Sequence, residues 1–387
     1  MDFKKLLNDS DKNLVNHRRK LHAMPELGFQ ENKTSEYIQN ELKKLGIPFK
    51  AGYGKTGIIG VITGGLGEGR SMMIRADIDG LPLDEETDLE FASKNGSMHA
   101  CGHDGHISIL LETARILQSL KDSFKGEVLL CFQPAEEIVQ GALAMIDDGL
   151  LKDYHPDRVI GLHIWNQLPS GYVGVNDSVV FASADAFSLE VKGRGGHGAL
   201  PHLNIDPIVA ASQIIANAQT IVSREIAPSD TGVLTFGKFE SGSAPNIIPD
   251  KVKIEGTIRA YTQDVREKIF SSLQRMSKLG AESMRSTANT EIMYGTGPVI
   301  NEPEVASWVR DKSKDVIDNS LVGVTDPVSV GDDMAEFLDR IPGVYFLLGA
   351  SVGNKYPHHN TRFDFDEKAM INGVKVFLSC TLDFLDN

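Results

Sequence analysis

Cysteine is scarce in this chain: three residues, at positions 101, 131 and 380 of 387. So few and so scattered, they cannot form a disulfide framework, and a reducing compartment suits them. Positive charge is also short. Lys and Arg number 39 against 53 Asp and Glu, a net charge of −14, so the basic face that nucleic acid requires is not expected. No apolar run reaches the roughly 18 residues of a membrane span. The opening MDFKKLLNDSDKNLVNHRRK lacks the apolar core of a signal peptide. Internal repeats and low-complexity stretches are missing too. These absences lead us to expect a cytoplasmic protein with neither a nucleic-acid nor a membrane partner.

What is present is ordinary for a globular chain, 41% hydrophobic and 24% charged, with length for roughly two or three domains. Leu14, Val15, Arg18, Leu21 and His22 recur near helical spacing, and a second helix is expected over 33–45, stopped by Gly46 and Pro48. Short apolar runs then alternate with helices. GIIGVIT (57–63), SMMIRAD (71–77), EVLLCF (127–132) and RVIGLHI (158–164) read as buried strands. Ile107, Leu110, Leu111, Ala114 and Leu117 share one face of a helix over 107–120. This alternation predicts an α/β sheet covered by helices. Near residue 184 the pattern changes. AFSLEVKGR alternates, a helix follows in DPIVAASQIIANAQTIVSRE, and then come GVLTFGKFE, KVKIEGTIRAY, a helix over 265–285 and TEIMYG. That order, β-α-β-β-α-β, is ferredoxin-like. From about residue 298 the α/β character returns, ending in a helix over 366–385. One domain is therefore expected to be inserted in another: 1–183 with 296–387 as a discontinuous catalytic domain, and 184–295 as the insert.

Polar groups cluster where the buried strands end, the place where open α/β sheets gather ligands. Asp77 and Asp79 follow the second strand, Glu136 and Glu137 the third, His163 lies at the end of the fourth, and His358 and His359 follow GVYFLLGA. Before a helix stands MHACGHDGH (98–106), with three of the 11 histidines. Cys, His and carboxylate side chains suit Zn²⁺ and similar ions, and a turn at Gly102 would bring Cys101 and His103 to one centre. A cysteine nucleophile paired with histidine is the alternative, but it leaves Glu136 and Glu137 without a role. Cys131 and Cys380 read as small buried hydrophobes. Successive side chains of an extended segment point apart, so one of Glu136 and Glu137 can hold an ion while the other takes a proton from water.

These residues carry a resemblance. RRKLHAMPELGFQE, IRADIDGLPL, MHACGHDGH, FQPAEE, GLHIW, GRGGHGALPH, NIIPDKVKIEGTIRA and HHNTRFDFDE together run nearly end to end. Through them the chain resembles the M20 metallopeptidase and amidohydrolase family, in its aminoacylase-like branch of hippurate hydrolases, N-acyl-amino-acid amidohydrolases, N-acetyldiaminopimelate deacetylases and auxin-conjugate hydrolases. The resemblance implies a zinc-exopeptidase-like catalytic domain, a mixed central sheet flanked by helices, with a ferredoxin-like α+β satellite that serves as lid and dimerisation domain. It implies two divalent ions per subunit, Zn²⁺ or Mn²⁺, with Co²⁺ or Ni²⁺ as further options. Cys101 would bridge the ions, with His103, Glu137, His163 and His359 completing the set and His358 the alternative to His359. Asp77, Asp79 and Asp104 would orient these ligands, and His99 and His106 would give support. The implied reaction is hydrolysis of the amide of an N-acyl-L-amino acid by metal-activated water, with Glu136 as general base. His197 would stabilise the oxyanion, from its own chain or across a homodimer, while Asn246 and Arg259 would bind the substrate; an Arg fork suits a carboxylate.

The chain departs from the family's usual pattern at Asp332-Asp333-Met334, where Glu-Asp-Phe is common. It departs again at His358 and Asn360-Thr361, where Leu and Ser-Pro are common, and at Asn166, where Pro is frequent. A dipeptidase or aminopeptidase of the same superfamily is the alternative activity, though the His-x-Asp ligands usual there are replaced by Asp77-Ile78-Asp79. A non-catalytic relative would have lost the base or a ligand, and all six of those residues are present.

Overall fold

The computed structural model describes residues 6–353 and 356–386. Two compact units divide the chain: Met1–Val180 with Ile300–Pro327 and Asp333–Asn387, and Phe181–Val299 with Val328–Asp332.

The first unit is built on a mixed sheet of eight strands. Their spatial order is Phe49–Tyr53, Gly57–Thr63, Glu127–Gln133, Ser71–Asp77, Arg158–Trp165, Gly343–Gly349, Val173–Gly174 and Val322–Gly323. The middle four run parallel, with Asp77 level with Gln133 and His163 level with Leu347. Gly57–Thr63 and Val173–Gly174 run against their inner neighbours. Every residue of Ser71–Asp77 and Gly343–Gly349 is buried, as a parallel strand covered on both faces requires. The apolar runs of the sequence, rich in Ile, Val, Leu and Met, satisfy that demand.

Helices Ser10–His22, Asn32–Lys44, His103–Ser119, Pro303–Lys314 and Met370–Asp386 contribute to the core around this sheet. His103–Ser119 is buried over most of its circumference, which marks a helix enclosed by its own fold. It begins four residues before the helix expected from periodicity. Its first turn, His-Asp-Gly-His, carries no apolar pattern, and the local helix preference of Gly and Asp is poor. Gly102 takes φ +90°, a left-handed conformation suited to glycine, and tertiary contacts hold the turn: His103 to the Asp79 carbonyl, Asp104 to His22 and Arg18, and His106 to Asp77.

The second unit carries a four-stranded antiparallel sheet ordered Gly232–Ser241, Lys251–Ala260, Ala184–Lys192 and Thr287–Thr296. Helices Pro207–Thr220 and Gln263–Ser283 contribute to a core of Phe187, Leu189, Val191, Ile214, Ile254 and Ile269, among others. This is the ferredoxin-like arrangement expected from the β-α-β-β-α-β order. Among the described residues, no helix is long and apolar enough to cross a membrane.

One connection in the first unit is strained. After Gln133 the chain passes through Ala135 at φ +53° and Val139 at φ +50° before helix Gly141–Asp147. The Glu31 carboxylate accepts from the Ala135 amide at 2.8 Å and fixes this uncommon backbone. At Gly141 an added Cβ would lie 1.5 Å from the Pro134 carbonyl oxygen. Gly141→Ala must therefore push the whole connection open, and it should cost roughly 1–3 kcal/mol, measured as a lowered urea midpoint.

Candidate metal centre

The carboxyl ends of the parallel strands bring together side chains from five segments. Cys101, His103 and His163 present ligand atoms within 4.8 Å of one another, and so do Cys101, Glu137 and His359, and His103, Glu136 and Glu137. Cys101 is common to the first two groups. Its sulfur is 3.4 Å from His163 Nε2. His103 Nε2 lies 3.7 Å from Glu136 Oε2 and 3.9 Å from Glu137 Oε1. Of the two adjacent histidines, His359 is the one that faces this cluster, with its Nε2 3.2 Å from Glu137 Oε2. Its backbone, at φ +63°, is tied to the cysteine segment by an amide bond to the Ala100 carbonyl. His358 points elsewhere: it stacks on Trp165 at 4.5 Å and donates from Nε2 to the Ile164 carbonyl.

The imidazoles are oriented as ligands. His103 Nδ1 donates to the Asp79 carbonyl at 3.0 Å, and His163 Nδ1 donates to the Ile164 carbonyl at 2.7 Å. Each therefore turns Nε2 into the cluster, the outer hydrogen bond fixing which nitrogen faces inward. His106 has both nitrogens engaged outside the centre: Nδ1 donates to Asp77 at 2.6 Å, and Nε2 accepts from the Ile164 amide. Asp79 accepts the Glu137 amide at 3.0 Å. Asp104 faces away, toward His22 Nδ1 at 2.8 Å and Arg18 Nε at 3.3 Å. His99 is buried with no hydrogen-bond partner on either nitrogen, and burial lowers its pKa to about 4.

These donors fit a divalent cation. His103 Nε2 and Glu137 Oε1 are buried without a hydrogen-bond partner, and such atoms are costly unless something occupies the space between them. The electrostatics agree. Burial alone would lower the His103 pKa, yet the carboxylates of Asp77, Asp79 and Glu137 raise it to about 10. The His163 pKa is lowered instead, by burial and by the neighbouring imidazoles His106 and His358. At Asp77, burial would raise the pKa, but His103, His106 and Arg75 outweigh it and hold the group ionised. The pocket thus asks for positive charge, and thiolate, imidazole and carboxylate together suit a Zn²⁺-like ion.

Among these buried groups is one that the sequence reasoning passed over. Arg75 is fully buried in strand Ser71–Asp77 and donates to Asp77, Gln133, Tyr345 and Asp333. Its signal was available: a lone arginine inside the apolar run SMMIRAD. The three remaining expected residues belong to the second unit. His197 sits on the exposed two-residue strand Gly196–His197, paired with Ile247. Asn246 is exposed, and its carbonyl accepts from the Gly198 amide. Arg259 donates to the Asp185 and Ile258 carbonyls and, among the described residues, makes no salt bridge to a carboxylate. Asp185 is instead taken by Arg266, at 2.6 and 2.8 Å.

Residues 73–383 match the model of Peptidase family M20/M25/M40. The chain belongs to that family. Among M20 relatives, the N-acetyl-L-cysteine deacetylase of Bacillus subtilis is 40% identical over 98% of this chain and 90% of its own length. Thermostable carboxypeptidase 1 of Saccharolobus solfataricus is 38% identical over 93% and 92%. The crystal structure of the Bacillus subtilis YXEP protein, described as a dinuclear metal-binding peptidase of family M20, superposes with a TM-score of 0.86 at 31% identity, over 98% of this chain and 99% of that one. The M20 assignment agrees with the mixed α/β architecture and with the divalent-metal character of the cluster.

One linkage follows for this M20 centre. His103 holds a proton up to about pH 10 when no ion is bound, and that proton must leave before Nε2 can serve as a ligand. Ion affinity of the stripped protein should therefore rise with pH, by roughly tenfold per unit through neutrality for this one proton, and level off as His103 becomes neutral. Competition with a chromogenic chelator at several pH values measures this; an affinity flat between pH 6 and 9 would contradict it.

Proposed function

We propose that this M20 chain hydrolyses the amide bond of N-acyl-L-amino acids, releasing the acyl group and the free amino acid. The observation that carries this reading is the placement of Glu136: a buried carboxylate beside His103 and Glu137, at the edge of an unsatisfied donor set. Cys101, His103, Glu137, His163 and His359 would hold two divalent ions, Zn²⁺ or Mn²⁺, Cys101 being the residue common to the group with His103 and His163 and the group with Glu137 and His359. When bound, such ions polarise an amide carbonyl and acidify water. Glu136 takes the proton of the attacking water and delivers it to the leaving amine nitrogen. Asp77 and Asp79 hold His106, His103 and the Glu137 backbone in place, and Asp104 anchors the start of the His103 helix. His197 supplies a donor to the oxyanion as it forms, within its own chain or across a homodimer made by the satellite domain, residues 184–295. Arg259 and Asn246 receive the carboxylate of the amino-acid half; Arg259 has no carboxylate of its own to release.

A carboxypeptidase reading has specific support in the Saccharolobus relative. It shares the same requirement, since the leaving residue of a carboxypeptidase substrate also bears a free α-carboxylate. The deacetylase relative tips the balance toward short acyl groups. Hydrolysis of a panel of N-acetyl, N-benzoyl and N-succinyl amino acids and of dipeptides, by stripped protein resupplied with each ion, separates the two. Preference for the dipeptides would reverse the order.

Two variants test the residue roles. Glu136→Gln should retain its ions and lose roughly 10²–10⁴-fold in kcat; an ion-replete variant with full turnover would sink the base assignment. Cys101→Ala should lower ion content below that of the parent, measured by plasma emission, and an unchanged stoichiometry would refute a bridging thiolate.

A further inference from the structure

Glu136 and Glu137 lie on the connection after strand Glu127–Gln133 and His163 lies on strand Arg158–Trp165, yet proton transfer needs them fixed relative to one another to a fraction of an ångström. One buried cation joins all three. Arg75 Nε donates to Gln133 Oε1 at 2.8 Å, and Arg75 Nη2 donates to Asp333 Oδ1 at 3.1 Å. The same Asp333 oxygen accepts from Gln133 Nε2 at 2.6 Å, and its other oxygen accepts from the Ala142 amide at 2.9 Å. Gln133 and Ala142 are the two flanks of the strained connection that carries Glu136 and Glu137. This first arm closes the connection at both ends onto one guanidinium.

The second arm leads to the histidine strand. Arg75 Nη1 donates to Asp77 Oδ2 at 2.8 Å. The other Asp77 oxygen accepts from His106 Nδ1, and His106 Nε2 accepts from the Ile164 amide. The carbonyl of Ile164 in turn orients His163. An arginine is the side chain that can do this, because its planar fork aims several donors at fixed angles, whereas a lysine offers one compact ammonium.

We propose that Arg75 is a positioning residue for the hydrolysis, setting the Glu136–Glu137 connection through Gln133 and Asp333, and the His163 ligand through Asp77 and His106. This rests on the function proposed above for Glu136 and the donor cluster. The two arms make separable demands. Breaking the first misplaces the base and the Glu137 ligand and spares His163; breaking the second disturbs His163 and spares that connection.

The experiment uses the full-length protein loaded with Co²⁺, whose visible spectrum reports ligand geometry without turnover. Arg75→Lys keeps the charge and loses the fork. We expect a shifted Co²⁺ spectrum, ion affinity weaker by roughly 10–100-fold, and a kcat loss of similar size with little change in KM, all per folded and loaded molecule. Gln133→Met removes the Gln133 link of the first arm and leaves the second arm whole; it should lower kcat with a smaller shift of the Co²⁺ spectrum than Arg75→Lys produces. Were Arg75→Lys to fail to fold, Gln133→Met would decide on its own terms, and parental kcat there would overturn the proposal. A folded Arg75→Lys with parental spectrum, ion affinity and kcat would also overturn it, as would a loss explained wholly by a lower folded fraction. The Glu136→Gln variant separates this from the reading beneath it. If that variant turns over normally, the function reading fails, while the Co²⁺ spectrum of Arg75→Lys still tests the link from Arg75 to His163.

Discussion

Buried negative charge is the constraint on which this site depends. Asp77, Asp79 and Glu136 are buried, and the Glu137 side chain nearly so, at one edge of the sheet. A lone carboxylate in such surroundings is very costly. Each is answered differently. Asp77 has Arg75 and His106, and Asp79 has the Glu137 amide. Glu137 keeps one oxygen with no hydrogen bond beside the equally unpartnered Nε2 of His103. The protein interior meets most of the demand with its own donors and leaves a remainder shaped like a cation.

The fold turns that electrostatic remainder into a defined place. Four parallel strands end level with one another, so whatever follows each strand meets whatever follows its neighbours. A glycine in the left-handed region turns Cys101 into the helix that begins with His103. A strained alanine turns the chain after Gln133 so that two consecutive glutamates face different neighbours. Backbone in sparsely populated conformations persists only where its surroundings over-determine it, and here the surroundings are Glu31, Asp333 and the close approach at Gly141.

Much of this was legible in the sequence, for physical reasons. Buried parallel strands must be continuous apolar runs, and SMMIRAD, EVLLCF and RVIGLHI mark theirs to within a residue or so. The strand Ala184–Lys192 of the second unit is marked by a change from continuous to alternating hydrophobicity at AFSLEVKGR. Residues following the strand ends pointed to one cluster of Cys, His and carboxylate side chains because sheet topology places them together. Other features were not legible. The first turn of the His103 helix lacks periodicity, since tertiary contacts rather than an apolar stripe hold it. Which of His358 and His359 faces Glu137 depends on one backbone dihedral, the positive φ of His359, which adjacent identical residues cannot reveal. The Arg75 network joins positions 75, 133, 142 and 333, and no local pattern couples residues so far apart.

The side chains proposed as ligands lie between positions 101 and 359, on segments that meet only when the central sheet is complete. Closing loops of that length is slow and entropically costly. A small zinc module can use its ion to nucleate folding, because its ligands are near neighbours along the chain. Here the unfolded polypeptide offers an ion nothing better than the Cys101–His103 pair. Assembly of the sheet must come first and loading last, so newly synthesised chains pass through a native-like apo state. Cellular ion supply then governs how many finished molecules are active, rather than how many fold.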